Sequence, residues 1–482
     1  MSYLSLSFAF FVIVSLFAYW VLLKRVRWVL LLAASLYFYI SFDIKYLPFL
    51  LFCALSTYAG ALALQRGGQK KLILGCVIGF NIAVWFVAKD LNWLFSLYGR
   101  IANVSAPSLN ILVPVGISYF TLQAIGYLVD AYRGKIAAEK NFFKYLLFLS
   151  WFPAIVQGPI SRYDRLMPQL LHAEGFSYER SRNGLLLVLI GLVKKMVIAD
   201  RLNIFVNACF ETSAETYGVL LYLGAVAYAF QLYTDFSGCV DICRGVSSLF
   251  GVDLVHNFSR PYLARSIKEF WGRWHLSLSS WLKDYIYIPL GGNRRSNVRK
   301  YVNLMSTFLV SGLWHGAGFT FLIWGGMHAS YQIFGQITES LRKKIRKLMR
   351  IEEGSFSECL YQRLITFHLV TLAWIPFRAS SVRRTLRYIY NMFSKPSLWV
   401  LFDGTILNYG LSRNHIALLL IHLAILMAIE LLFKRQEDFI AGLTKQHFIV
   451  RWGIYFILLF DVLLFGVYGG GYDMAGFMYG GF

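Results

Sequence analysis

Charge is what this chain has least of. Only 15% of its 482 residues are Asp, Glu, Lys or Arg, against about 25% in a soluble globular domain. That shortage, together with apolar runs from end to end, excludes a soluble enzyme carrying one anchor. Cysteine is scarce too, at six, with no C-x-x-C pair, which argues against a disulfide framework or a thiolate metal site. Cys239 and Cys243 stand four apart, as on one helix face, and read as buried thiols. The familiar short motifs are missing as well. There is no G-x-S-x-G elbow, no phosphate-binding loop, no G-x-G-x-x-G after a strand and no H-E-x-x-H. Internal repeats, heptads and a folded soluble domain are also absent.

What the chain has is hydrophobic surface, 57% of all residues, and 17% aromatics. Several apolar runs reach the roughly 20 residues that cross hydrocarbon as a helix. The net charge of +22 suits loops that face anionic headgroups. The basic residues lie in short clusters between apolar runs, which speaks against a nucleic-acid partner. The first run, Leu4 to Leu23, is followed by Lys24, Arg25 and Arg27. A cleaved leader has its charge on the other side, so this reads as a retained span with the basic loop in the cytoplasm. Spans over Trp28–Phe42 and Tyr46–Leu64 return the chain to Arg66, Lys70 and Lys71. Leu72–Ala88 then goes out, with Leu91–Asn110 expected as an irregular external segment. Val113–Ala131 comes back to a third basic cluster that includes Arg133, Lys135 and Lys140.

Beyond this the pattern is broken. FPAIVQGPISRYDRLMPQL (residues 152–170) reads either as a broken or re-entrant helix or as a surface turn. A span over Gly184–Ala199 ends in Lys194, Lys195, Asp200 and Arg201, and another covers Val219–Tyr233. Asp235 and Asp241 follow. They either face a wet cavity or cap and join two helices. His256–Tyr262, with Asn257 and Pro261, reads as a break before the next helix. Later spans cover Val302–Trp314, Arg363–Phe377, His415–Phe433 and Arg451–Val467, with a basic surface helix at Arg342–Arg350. The tail GGGYDMAGFMYGGF carries no readable chemistry.

The informative stretch runs from Phe270 to His328. Trp271, Trp274, Leu278 and Trp281 are spaced by three, four and three, which predicts one helical face, with His275 one turn beyond Trp271. Lys268, Glu269, Arg273, Lys283 and Asp284 bring charge beside it. Such a helix either lines a wet funnel or sits at headgroup level as an interfacial anchor. His275 and His315 each follow a tryptophan, Trp274 and Trp314. Small residues surround His315, which allow close helix packing or leave room for a ligand. A neutral imidazole can take a proton from a hydroxyl and hand it to a leaving thiolate, which suits acyl transfer from a thioester. A second histidine could orient the first or polarise the acyl carbonyl. Two histidines without a carboxylate set make a zinc site a poor reading.

FWGRWHLSLSSWLKDYIYIPLGGNRR, followed by GLWHGAGFTFLIWGGMH, resembles the membrane-bound O-acyltransferase family, and most of all its alginate O-acetyltransferase-like polysaccharide acetylases. VPVGISYFTLQAIGYLVDAYRG, FPAIVQGPISRYDRL, QLYTDFSGCVDI and NFSRPY agree with it. Gly272 and the VQG before Pro159 depart from the alginate pattern and leave the acceptor polymer open. The resemblance implies an all-α polytopic membrane protein, roughly a dozen transmembrane or re-entrant helices around a central tunnel. It would form one integral-membrane domain over residues 1–482: N-terminal helices to 112, a catalytic core over 113–335 and C-terminal helices from 336. His315 matches the family's invariant histidine and His275 its second active-site position. Trp271, Trp274, Trp281, Trp314, Asp235, Lys283, Asp284 and Asn257 are the tunnel- or substrate-lining candidates. The implied donor is acetyl-CoA as substrate, with no bound cofactor or metal. The implied acceptor is an exported polysaccharide, reached directly or through an extracytoplasmic esterase-like protein of the SGNH type, at the bacterial cytoplasmic membrane. D-alanyl transfer to teichoic acid from a carrier protein is the sibling reading. A lipid or polysaccharide transporter is the reading from another class.

Overall fold

The computed structural model describes residues 1–105, 107–172 and 174–468. They are helical, and no β-strand occurs among them. The first ten α-helices are α1 (Leu6–Val21), α2 (Arg27–Ile40), α3 (Leu47–Arg66), α4 (Lys70–Ala102), α5 (Ile117–Tyr132), α6 (Phe142–Ser150), α7 (Tyr163–Leu171), α8 (Tyr178–Leu192), α9 (Asp200–Glu211) and α10 (Val219–Leu249). The next ten are α11 (Ile267–Trp271), α12 (Leu276–Leu282), α13 (Asn297–His315), α14 (Phe319–Ile337), α15 (Glu339–Leu348), α16 (Phe356–Arg378), α17 (Val382–Phe393), α18 (Arg413–Leu432), α19 (Gln436–Thr444) and α20 (Phe448–Phe465). Segments including α3, α4, α10, α18 and α20 are long and apolar enough to cross a bilayer. Leu420, Ile421, Leu463 and Leu464 on α18 and α20 are exposed, as lipid-facing side chains are. The glycine-aromatic tail from residue 469 lies outside the described residues.

The helices pack as two compact units. The first comprises Met1–Leu192 and Gly238–His256; the second comprises Val193–Ser237 and the described residues from Asn257 onward.

In the first unit α1 starts at Ser5, whose hydroxyl accepts the Phe8 N–H, and α3 packs on α4 and α5. The external segment expected at 91–110 is largely helix instead. Lys89 and Asp90 do not end α4, which runs to Ala102 and stops at Asn103 in the left-handed region (φ 54°). Adjacent charges leave helical hydrogen bonding intact, and no proline interrupts the stretch. At 1.5 Å per residue the helix is about 50 Å long, more than the roughly 30 Å of hydrocarbon. The segment after α6 is non-helical and buried over residues 151–161, so it is no surface turn. Tyr3 donates its hydroxyl to Phe152 O (2.9 Å), Trp151 Nε1 donates to Ser247 Oγ (3.1 Å), and Phe152 N donates to Ser35 Oγ (3.2 Å). The two bonds at Phe152 supply what water would otherwise give an irregular backbone, and the Trp151 bond ties its indole to α10. Against α8, the last turns of α10 come into backbone contact. A Cβ added at Gly184 would lie 2.9 Å from Gly245 O, and one at Gly191 2.6 Å from Gly238 O. Cys239 and Cys243 are buried with sulfurs 4.0 Å apart, twice the length of a disulfide bond.

In the second unit residues Val193–Ala199 form a π-helix in which Lys194 and Lys195 are buried, so they are not the solvated end of a span. Helix α10 runs unbroken through Asp235, in this unit, and Asp241, in the first. Neither aspartate caps or joins helices: one continuous helix carries both. The helix expected from Ser266 through Trp281 is likewise corrected. It is split into α11 and α12 with a turn over Gly272–His275 between them. The N–H groups of Leu276 and Ser277 would bond back along a continuous helix. Here they donate to Asn257, while Arg273 O accepts the Ser259 N–H (2.9 Å). The polar segment 257–260 thus takes the backbone groups that would have continued the helix. Helices α13 and α14 pack along each other at van der Waals limits. A Cβ at Gly312 would lie 2.4 Å from Phe321 O, and one at Gly325 2.3 Å from Phe308 O. Gly312 and Gly325 serve close packing, whereas a Cβ at Gly326 would meet nothing within 4 Å. Exposed basic residues make α15 a surface helix, as expected.

Candidate functional site

All of the following lies within the second unit. His275 is the residue before α12 and is fully buried, with a left-handed backbone at φ 45° and ψ 54°. Its conformation is fixed by the residues after it: Leu276 N donates to Asn257 O (3.0 Å) and Ser277 N to Asn257 Oδ1 (2.9 Å). The ring packs on Phe236 (centroids 4.7 Å) and faces Trp314 (6.0 Å). His315 is the last residue of α13 and is 2% exposed. Its imidazole lies among Trp314 (4.7 Å), Trp324 (4.9 Å, nearly perpendicular) and Phe377 (5.2 Å). One indole, that of Trp314, therefore contacts both histidines expected to carry the chemistry.

Trp271 and Trp274 belong to the same aromatic body. Trp274 is buried against Phe258, Phe270 and Trp374. Trp271 donates its indole N–H to Nδ1 of His328 (3.2 Å). His328 was not singled out from the sequence; its signal was its place at the end of the WGGMH run. With Nδ1 accepting, its proton sits on Nε2, a buried N–H with no acceptor among the described residues. Trp324 contacts both His315 and His328.

Asp235 is also in this unit, but as an ion-pair member. Lys195 Nζ lies 2.5 Å from Asp235 and 2.8 Å from Asp200. Lys195 was missed as its partner, though paired lysines in an otherwise apolar run were the signal. Nearby in sequence, Lys194 donates to Gln436 Oε1 (2.9 Å), and the Tyr233 hydroxyl donates to Glu430. Trp281, Lys283 and Asp284 follow in α12 and the π-turn after it, where Trp281 packs on Tyr285 (5.0 Å) and Lys283 is exposed.

The arrangement offers buried imidazoles at a helix end and a helix start, walled by indoles, and such groups exchange protons with hydroxyls and thiols. The sequence pattern of the membrane-bound O-acyltransferase family matches residues 135–374. A probable alginate O-acetylase of Pseudomonas aeruginosa is 36% identical over 384 residues, covering 77% of this chain and 70% of the relative. The chain belongs to the membrane-bound O-acyltransferase family. It is an O-acyltransferase and a multi-pass membrane protein. A peptidoglycan O-acetyltransferase of Helicobacter pylori is 34% identical over 397 residues, 75% of this chain and 73% of the relative. A teichoic acid D-alanyltransferase of Bacillus subtilis is 28% identical over 330 residues, 65% of this chain and 79% of the relative.

Proposed function

We propose that this O-acyltransferase moves acetyl groups from cytoplasmic acetyl-CoA across the bacterial cytoplasmic membrane to hydroxyls of an exported cell-envelope polysaccharide, directly or through an extracytoplasmic esterase-like protein. The observation that carries this reading is the placement of His275 and His315 against one buried indole, Trp314. His315 acts as the base. It takes the acceptor hydroxyl's proton as the oxygen attacks the thioester carbonyl, then returns it to the departing thiolate. His275 supports this step. Acetyl is favoured over D-alanyl because the two relatives named as acetylating enzymes are 36% and 34% identical to this chain, and the D-alanyltransferase 28%.

His315→Ala is the test. The purified, monodisperse variant should transfer acetyl from labelled acetyl-CoA at least about 10²-fold more slowly, and His275→Ala should lose less. An active His315→Ala protein rules the mechanism out. Mass spectrometry of surface polymers from cells with and without the protein identifies the group: missing acetyl esters support the proposal, and missing alanyl esters replace it with the sibling reaction.

A further inference from the structure

Asn257 makes two contacts that serve His275 and has one hydrogen-bonding group left over. Its backbone oxygen and its Oδ1 accept the N–H groups of Leu276 and Ser277, the two residues that follow His275. A backbone N–H can only donate, so the oxygen edge of the amide must face Ser277. The NH2 edge then points the other way. Asn257 is 1% exposed, and Nδ2 has no acceptor among the described residues. A buried donor without an acceptor is a standing cost to the fold. The clamp on His275 needs only oxygens, so it does not account for that NH2.

We propose that Asn257 holds His275 in its left-handed conformation with one edge of its amide and, with the other, donates a hydrogen bond to the acyl carbonyl oxygen during transfer. This rests on the acyl-transfer reading given above. The hydroxyl oxygen bonds to the thioester carbon, and the carbonyl π pair moves onto oxygen. The hydroxyl proton goes to the basic imidazole. When the tetrahedral species collapses, the C=O bond re-forms, the C–S bond breaks and the thiolate takes the proton. Negative charge rests on the former carbonyl oxygen only between those two events, and a fixed amide N–H in a water-poor site stabilises it there.

Asn257→Ala and Asn257→Asp separate the two roles. The probe is labelled acetyl-CoA with de-O-acetylated envelope polysaccharide from the source cells, and rates are taken in proteoliposomes of purified protein. Asn257→Ala should lower kcat about 10²-fold or more, with the KM for acetyl-CoA little changed. Asn257→Asp keeps an oxygen for Ser277 in both protonation states, but it has a donor only as the neutral acid. Its activity should be close to wild type at mildly acid pH and fall about 10²-fold as the carboxyl ionises, a loss the wild type does not show. If Asn257→Ala fails to fold, the aspartate variant alone decides. A wild-type pH profile for Asn257→Asp, or an undiminished kcat for Asn257→Ala, overturns the proposal. His315→Ala is run alongside. If it is inactive while the Asn257 variants are normal, only the role of Asn257 fails. If it is active, the acyl-transfer mechanism itself fails.

Discussion

The indole N–H of Trp271 points at Nδ1 of His328 across 3.2 Å, joining α11 to α14 inside a body of aromatic rings. The bond ties a short helix before the His275 turn to the helix that packs against α13, which carries His315. Trp271→Phe keeps most of the ring and removes the donor, leaving a buried acceptor unmet at a cost of about 1–3 kcal/mol. His328→Phe removes both ring nitrogens. In a double-mutant cycle read by thermal unfolding in detergent, the pair should couple by about 1 kcal/mol. Strictly additive single effects would mean the hydrogen bond contributes nothing.

Lys195 is shared by two carboxylates, Asp235 and Asp200, and this sets an order of severity. Lys195→Met removes the shared cation from both acids, of which Asp235 is buried and Asp200 partly exposed. Removing one partner of a buried pair costs about 3–5 kcal/mol. Asp235→Asn leaves Lys195 its bond to Asp200 and keeps a polar group at 235, so it should be milder. The yield of monodisperse protein and its midpoint of unfolding should rank wild type first, Asp235→Asn second and Lys195→Met last. If Asp235→Asn retains normal stability but loses turnover, Asp235 serves substrate more than the fold.

Helix existence was legible because hydropathy and length suffice for it: α1, α2, α3, α13, α18 and α20 all lie within a few residues of the expected spans. The misreadings have local causes. Lys89-Asp90 looked like a boundary because charge marks membrane exits, yet α4 continues beyond it. Lone acids are expensive in hydrocarbon, so Asp235 and Asp241 read either as facing a wet cavity or as caps; a partner of Asp235 lies 40 positions away, at Lys195. The spacing of Trp271, Trp274, Leu278 and Trp281 is helical, and periodicity cannot reveal that Asn257 and Ser259 intercept the backbone between them. His275 and His315 were legible as Trp-His pairs. The contact of Trp314 with His275 and the left-handed backbone of His275 come from tertiary structure that no spacing encodes.

Orientation can be tested on the first unit. Arg25, Lys70 and Lys135 are exposed and follow α1, α3 and α5. Counting α2 with α3 and α4 with α5 as paired crossings predicts that the three share one face, and their basic charge predicts that this face is cytoplasmic. Single cysteines at these positions, in a background with Cys76 and Cys359 replaced by Ser, should resist a membrane-impermeant thiol reagent in intact cells and react after permeabilisation. Labelling of all three in intact cells would put the donor on the opposite side of the membrane.

The left-handed backbone at His275 (φ 45°) separates strain from chemistry. An L-residue there is disfavoured by about 1–2 kcal/mol, whereas glycine adopts that region freely. Glycine is ordinarily the less stable substitution, because the unfolded chain gains freedom. At position 275 the order should invert: His275→Gly should unfold at a higher temperature than His275→Ala, while both lack the imidazole and show the same loss of acetyl transfer. An alanine variant more stable than the glycine variant would mean that the turn between α11 and α12 relaxes once the ring is gone. The ring contacts with Phe236 and Trp314, rather than the hydrogen bonds to Asn257, would then be what holds His275 in place.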